Sequence, residues 1–275
     1  MTARLGEMRE LVREALFLRD HPDPPSRSFA AEPGTTVHLL LRGRPANVAF
    51  WKAVLAEIRR DDLGGPRVRV YRNATRLGVV PYVLPRTRPG LRLLGNLWDV
   101  PAPPYFDAHV IPHFDGMIEL CYQKSADPAA LDLADRVRTV CAELSTFECD
   151  RRYTIVPSSG TTQRSVFLTV LSRTPWNRTR AEAQRYWIGK HAPLVFDNAD
   201  HTNMCGYEQV HTTLGGSSFD NAYEGVAYIE FRRLADFLSQ SVRLDTLRFN
   251  NTLIVDEMNM TINSEIHLFR RYDLS

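Results

Sequence analysis

Lysine is nearly missing from this 275-residue chain: of its 34 basic residues only Lys52, Lys124 and Lys190 are not arginine. We read that imbalance as the coding bias of a GC-rich genome. The net charge is only +2, and the basic residues are scattered, which argues against a nucleic-acid partner. Arg72, Arg86, Arg88 and Arg92 form one cluster, read as solvated loop charge. The four cysteines, Cys121, Cys141, Cys149 and Cys205, show no C-x-x-C spacing, so they imply neither a zinc site nor a disulfide framework. Buried free thiols of a reducing compartment fit them better. No apolar run approaches the ~18 residues of a membrane span. Glu7, Glu10 and Glu14 interrupt the apolar pattern of residues 1–20, unlike the core of a signal peptide. A cytoplasmic protein without membrane or nucleic-acid partners is therefore expected. Also missing are a Gly-rich phosphate loop, a dinucleotide fingerprint, a nucleophile elbow and H-E-x-x-H. His38, His109 and His113 have no ligand spacing, so neither a cofactor nor a metal is expected.

What is present is ordinary globular material, 44% hydrophobic and 24% charged, enough for one large or two modest cores. Leu5, Met8, Leu11, Val12, Ala15 and Leu16 recur at helical spacing, and residues 21–35 read as a linker broken by prolines. A first unit, 36–157, begins with the strand 36–41 and the helix 47–60, the latter with Val48, Trp51, Val54, Leu55 and Ile58 inward. Strands 67–71 and 117–122, a helix 129–144 and a strand 153–156 complete it. After the linker 157–162 the pattern restarts over 164–275 with strand 166–171, helix 178–190, strands 206–211 and 226–231, helix 234–242 and strand 265–269. Thr179 and Glu182 form a candidate capping box at the start of helix 178–190. Each unit reads βαββαβ.

The two units share more than their order. Gly116 and Gly225, and likewise Asp127 and Asp236, are offset by 109 residues (225 − 116 and 236 − 127). Trp51 and Trp187 are offset by 136, so 27 extra residues (136 − 109) lie between helix and third strand of the first unit. Such internal similarity argues for duplication. The surplus is rich in proline and aromatics, Trp98 and Tyr105 among them. Long connections of this kind are functional or disordered, and the aromatic content disfavours disorder. Folding against a pocket and plain structural cover both remain open for it.

The run Trp187-Ile188-Gly189-Lys190-His191-Ala192-Pro193-Leu194-Val195 resembles the W-x-x-x-H-A-P-L-V signature of the EthD family, a branch of the dimeric α/β-barrel superfamily. Gly206 to His211, Tyr223 to Tyr228 and Asp256-Glu257 follow in that family's order, and the resemblance spans about residues 164–270. It implies an α+β fold in which two ferredoxin-like βαββαβ halves pair their sheets into a barrel, here within one chain. It also implies a cofactor-independent enzyme acting on a hydrophobic, oxygenated small molecule, as polyketide cyclases of the superfamily do. The family's pairing habit leaves a homodimer open.

His191 is the first candidate catalytic group, because an imidazole can serve as general acid or base near neutrality. A helix-capping role beside Pro193 is the bland alternative. Leu55 stands at the matching place in the first half, four residues after Trp51, so only the second half can hold this site. Tyr207, Gln209 and His211 alternate on one face of a strand, and Tyr228 and Glu230 on one face of the next. A ligand pocket and a solvent-exposed edge both satisfy that pattern. On the pocket reading Tyr207, His211 and Tyr228 join His191 in catalysis, and Trp187, Gln209, Glu230, Trp98, Tyr105 and Glu119 bind substrate. Where the family has a strand glutamate, the first half keeps Glu119 but the second has Tyr228, which puts a copied mechanism in doubt. Cyclisation, dehydration and isomerisation of a polyketide-like or aromatic metabolite share this machinery. Cofactor-free or haem-dependent monooxygenation, with His191 as axial ligand, and non-catalytic metabolite binding are the alternatives.

Overall fold

The computed structural model describes residues 27–43, 48–60, 65–74, 114–124, 129–240 and 264–274, with 246, 249, 252–253, 256–257 and 259–261 between the last two segments. The expected N-terminal helix, the first part of the linker after it (21–26), the aromatic surplus with Trp98 and Tyr105, and His109 and His113 lie outside the described residues.

Eight antiparallel strands close into a barrel. They are β1 (Thr35–Arg42), β2 (Arg67–Asn73), β3 (Gly116–Tyr122), β4 (Glu143–Val156), β5 (Val166–Ser172), β6 (Gly206–Thr212), β7 (Gly225–Phe231) and β8 (Glu265–Leu274). Around the barrel they run β1-β3-β2-β8-β5-β7-β6-β4. Within β1 to β4 the spatial order is fourth, first, third, second, and within β5 to β8 it is the same. Two seams close the ring, β2 on β8 and β4 on β6. The fold is thus a mixed α+β fold built on one closed antiparallel barrel.

The seams explain the largest departure from the sequence reading. β4 is 14 residues long and serves both halves: Glu143–Cys149 pairs with β1, while Cys149–Val156 pairs with β6. The helix expected to reach Leu144 stops at Val140, because the Ala142 N–H already donates to the Arg42 carbonyl and the chain has joined the ladder. β8 likewise gives residues 265–269 to β5 and 269–274 to β2. Strand pairing across the seams outweighs the local propensity that had extended the helix and shortened both strands.

Three apolar layers follow from strand alternation. The odd residues of β1, Val37, Leu39 and Leu41, face helices α1 (Val48–Arg60) and α2 (Ala129–Val140). α1 contributes Trp51, Val54 and Ile58 and α2 contributes Ala130, Leu133, Ala134 and Val137, each set at 3- and 4-residue spacing. A second layer lies between the other sheet and helices α3 (Arg180–Tyr186), α4 (Ala192–Asp197) and α5 (Leu234–Ser239). The third fills the barrel itself, with Leu40, Met117, Phe147, Phe167, Leu171 and Phe269. Strands covered on both faces are buried at nearly every position, as β1 and β5 are. Among the described residues no helix is long and apolar enough to cross a membrane.

The paired glycines and tryptophans meet in equivalent ways. A Cβ at Gly116 would collide with the Trp51 ring, and one at Gly225 would collide with the Val210 carbonyl and lie 3.0 Å from the Trp187 ring. In both halves, then, the first residue of the third strand is a bare floor on which the helix tryptophan rests.

Candidate functional site: a histidine–aspartate pair beneath helix α3

Local structure brings His191 to the sheet. Thr179 caps α3 by accepting from the Glu182 N–H (3.2 Å), while the Glu182 carboxylate accepts from the Thr179 N–H (2.8 Å). This is the expected capping box. The helix does not end at Lys190. It passes through a π-turn, Trp187–His191, in which the Ala192 N–H donates to the Trp187 carbonyl, and continues as α4. Pro193 falls in the first turn of α4, where its missing N–H does no harm. That is why a proline that reads as a stop signal does not stop this helix. π-turns of this kind are frequent at functional sites.

His191 is buried, and its Nδ1 lies 2.7 Å from Asp256 Oδ2. The other carboxylate oxygen of Asp256 accepts from the Tyr186 hydroxyl at 2.7 Å. With Nδ1 held by a carboxylate, Nε2 is the ring nitrogen left for chemistry. Trp187, His191, Tyr207 and Ser172 line one small cavity whose other walls are largely apolar, Val170, Val195, Ala227, Ile229, Leu253 and Met260 among them. Its volume is about 40 Å³, room for about three water molecules.

Behind Tyr207 runs a buried chain of polar groups. Gln209 Nε2 donates to the Tyr207 hydroxyl oxygen at 2.9 Å, and Gln209 Oε1 lies 3.1 Å from His211 Nε2, which donates to it. His211 stacks on Trp187 with ring centroids 4.7 Å apart. All three of Tyr207, Gln209 and His211 are buried, so the exposed-edge alternative does not hold. Burial, with help from Arg151, pushes the His211 imidazole down to about 3, and burial raises the Tyr207 phenol. Near neutral pH His211 is therefore uncharged and holds Gln209 as a donor rather than moving protons. Tyr207 stays protonated, its oxygen already accepts from Gln209, and its O–H is the donor it can offer a guest.

Tyr228, Glu230 and Glu119 do not reach this cavity. Cross-strand partners share a face, and Tyr207 is opposite Ile229 whereas Tyr228 is opposite Glu208. Tyr228 and Glu230 do share a face, as expected, but it is the one opposite to that of Tyr207. Alternation fixes which residues of one strand go together. It does not fix the phase between strands, which only the register supplies. Inside the barrel the Tyr228 hydroxyl is 2.9 Å from His38 Nε2, and its ring stacks on Tyr71 at 5.2 Å. Glu119 accepts from the Tyr71 hydroxyl (2.9 Å), from Arg69 (3.2 Å) and from Arg152. Burial alone would raise the Glu119 carboxyl, but Arg152 and Arg69 hold it well below the usual carboxylate range. Burial lowers His38 to about 3. Glu230 accepts from the Ser158 hydroxyl at 2.7 Å. His38, Tyr228, Tyr71, Glu119 and Arg152 form an internal polar network that includes strands of both halves.

Asp256, Tyr186 and Ser172 were not singled out by the sequence reading. Asp256 carried a signal, its place in the Asp256-Glu257 pair, but nothing local links it to a histidine 65 residues away. The ladder registers also show what the first half has at the same places. Leu41 and Ser172 both face the glycine floor, opposite Gly116 and Gly225. Val68 matches Tyr207, Val70 matches Gln209 and Arg72 matches His211. Arg72 even lies over Trp51, 4.9 Å from the ring centroid.

No protein-family model matches the sequence, and no curated protein does. Solved structures do match in shape. An anthrone oxidase-like protein superposes with a TM-score of 0.52 at 9% identity, covering 90% of this chain and 96% of its own. A candidate monooxygenase from Fusobacterium nucleatum gives 0.48 at 9% identity, covering 89% and 98%. At such identity the likeness defines the fold: an eight-stranded barrel of the dimeric α/β-barrel type, formed here by a single chain.

Proposed function

We propose that the protein is a cofactor-independent enzyme that uses His191 as general acid and base on an oxygenated small molecule, with cyclisation, dehydration or isomerisation as the reaction class. The observation that carries this reading is His191, paired with Asp256, on one small and largely apolar cavity together with Tyr207. Asp256 accepts from Nδ1–H, so Nε2 presents its lone pair to the guest and becomes the proton donor once charged. The Tyr207 hydroxyl, aimed by Gln209, donates to the oxygen on which charge develops. The apolar walls keep water few, which strengthens both interactions. Only the reacting head of a polyketide-like or aromatic compound enters a cavity of this size, and the remainder lies beyond these walls. We also attribute the two halves to duplication of one ferredoxin-like unit of EthD type, on the strength of the shared strand order and the Trp51–Gly116 and Trp187–Gly225 contacts.

Oxygen chemistry on an aromatic compound is the second reading, favoured by the name of the anthrone oxidase-like structure. Oxygen uptake in the presence of anthrone separates it from proton-transfer chemistry.

Acetone, whose methyl protons exchange slowly in neutral D₂O, tests the first reading. The protein should accelerate deuterium incorporation followed by NMR, and His191→Ala should remove at least about 10² of that acceleration, as expected for a positioned proton-transfer group, while keeping the melting temperature. Full exchange in the variant, or none in the parent protein, overturns the reading.

A further inference from the structure

Ser172 is buried to 1% exposure, and among the described residues its hydroxyl has no hydrogen-bond partner. It lines the same cavity as His191 and Tyr207. At the matching register position the first half carries Leu41, completely buried in a closed core. A hydroxyl where the frame accepts leucine, left without a partner inside the protein, is costly unless something else satisfies it. The Trp187 indole N–H is directed at the Tyr207 hydroxyl oxygen. The cavity therefore offers two donors, the Tyr207 O–H and the Ser172 O–H.

We infer that Ser172 is a substrate-binding and specificity-determining residue, and that the reacting head is an α-oxygenated carbonyl compound whose two oxygens are held at Tyr207 and at Ser172. This rests on the acid/base reading given above. Two oxygen acceptors answer the donors, and a vicinal pair is the compact choice for a space of about three waters. Asp256 beside His191 and Glu257 on the cavity wall already supply negative charge, so an uncharged hydroxyketone suits the site better than a carboxylate. His191 Nε2 takes the proton from the carbon bearing the hydroxyl. The C–H electron pair becomes the new C=C bond, the carbonyl π pair moves onto its oxygen beside Tyr207, and the second oxygen stays on the Ser172 hydroxyl. The imidazolium then returns its proton to carbon, and no oxidant or reductant takes part.

Hydroxyacetone and acetone differ by this one oxygen and serve as paired probes of deuterium exchange. The parent protein should exchange the hydroxymethyl protons of hydroxyacetone faster than its buffer background and in clear preference to acetone. In Ser172→Ala the hydroxyacetone-to-acetone ratio should fall about threefold to tenfold, the effect of one neutral hydrogen bond. The melting temperature should stay level or rise, since an unsatisfied hydroxyl has been removed from the free protein. An unchanged ratio, or a lower melting temperature revealing a structural partner, overturns the inference. Exchange of acetone without preference for hydroxyacetone overturns it too and leaves the role of His191 standing, whereas exchange of neither probe removes both.

Discussion

Replacing Asp256 by asparagine is the sharpest test of how His191 is set to work. The change is nearly isosteric. The asparagine carbonyl still accepts from the Tyr186 hydroxyl, now 2.7 Å away. What changes is the bond to His191 Nδ1, at present 2.7 Å from a carboxylate oxygen. A hydrogen bond to a charged group contributes about 1.5–3 kcal/mol, and its loss when His191 becomes charged corresponds to about 10- to 150-fold in rate at 1.36 kcal/mol per tenfold. A second effect adds to it. An amide N–H facing Nδ1 favours the tautomer with its proton on Nε2, which cannot act as a base, and this can extend the loss to about 10⁴-fold. Asp256 touches His191 rather than the guest, so kcat for acetone exchange should fall while KM barely moves. Deuterium incorporation read by NMR at several acetone concentrations separates the two constants, and a thermal melt checks the fold. Unchanged kcat would show that His191 does not depend on Asp256; a rise in KM alone would make Asp256 a binding residue.

Two further outcomes follow from packing and charge. Gly116→Ala forces a methyl into the Trp51 ring and should cost about 1–3 kcal/mol of stability in urea titrations, as overpacking does; no loss would mean that the tryptophan does not rest on that floor. His38 and His211 are held neutral, each lowered from 6.5 to about 3 by burial. The unfolded chain binds protons at these two sites that the folded chain refuses, so their stabilisation is intact above pH 6.5 and is lost as pH falls toward 3. The two together give a slope of up to about 2.7 kcal/mol per pH unit in that window, and His38→Phe with His211→Phe should flatten the measured profile.

Most of the frame was legible because its signals are local. The alternation of β1 and the 3–4 spacing of Trp51, Val54 and Ile58 each report a face that neighbours in sequence share. The shared strand order of β1–β4 and β5–β8 was legible for the same reason. Helix ends and strand lengths were misread where partners far away in sequence decide them. Leu144 became strand because β1 was waiting for it, and Pro193 failed to break a helix that the π-turn had already loosened. Within the site, the faces of Tyr207, Gln209 and His211 were correct, but Tyr228 needed the β6–β7 register to be sent to the barrel interior. Asp256 was invisible as a partner of His191 because no periodicity connects a π-turn to a position 65 residues later.

Comparison of the halves at equal register positions explains why only one of them carries this site. In the first half Leu41, Val68 and Val70 stand where the second half has Ser172, Tyr207 and Gln209, and Leu55, four residues after Trp51, stands where His191 follows Trp187. Leu41, Val68 and Val70 are buried in one apolar cluster against which Leu55 packs half-buried, and such burial contributes roughly 1.5–3 kcal/mol for each fully buried side chain. The second set gives up that gain at three strand positions. Exchanging apolar for polar groups in a covered layer destabilises unless the groups satisfy one another or a guest. Gln209 and Tyr207 satisfy one another, and His191 is satisfied by Asp256. Among the described residues Ser172 finds no such partner. Its hydroxyl lies on the cavity that His191 also lines. A layer kept only for stability would have filled that space as the first half does, with leucine and valine.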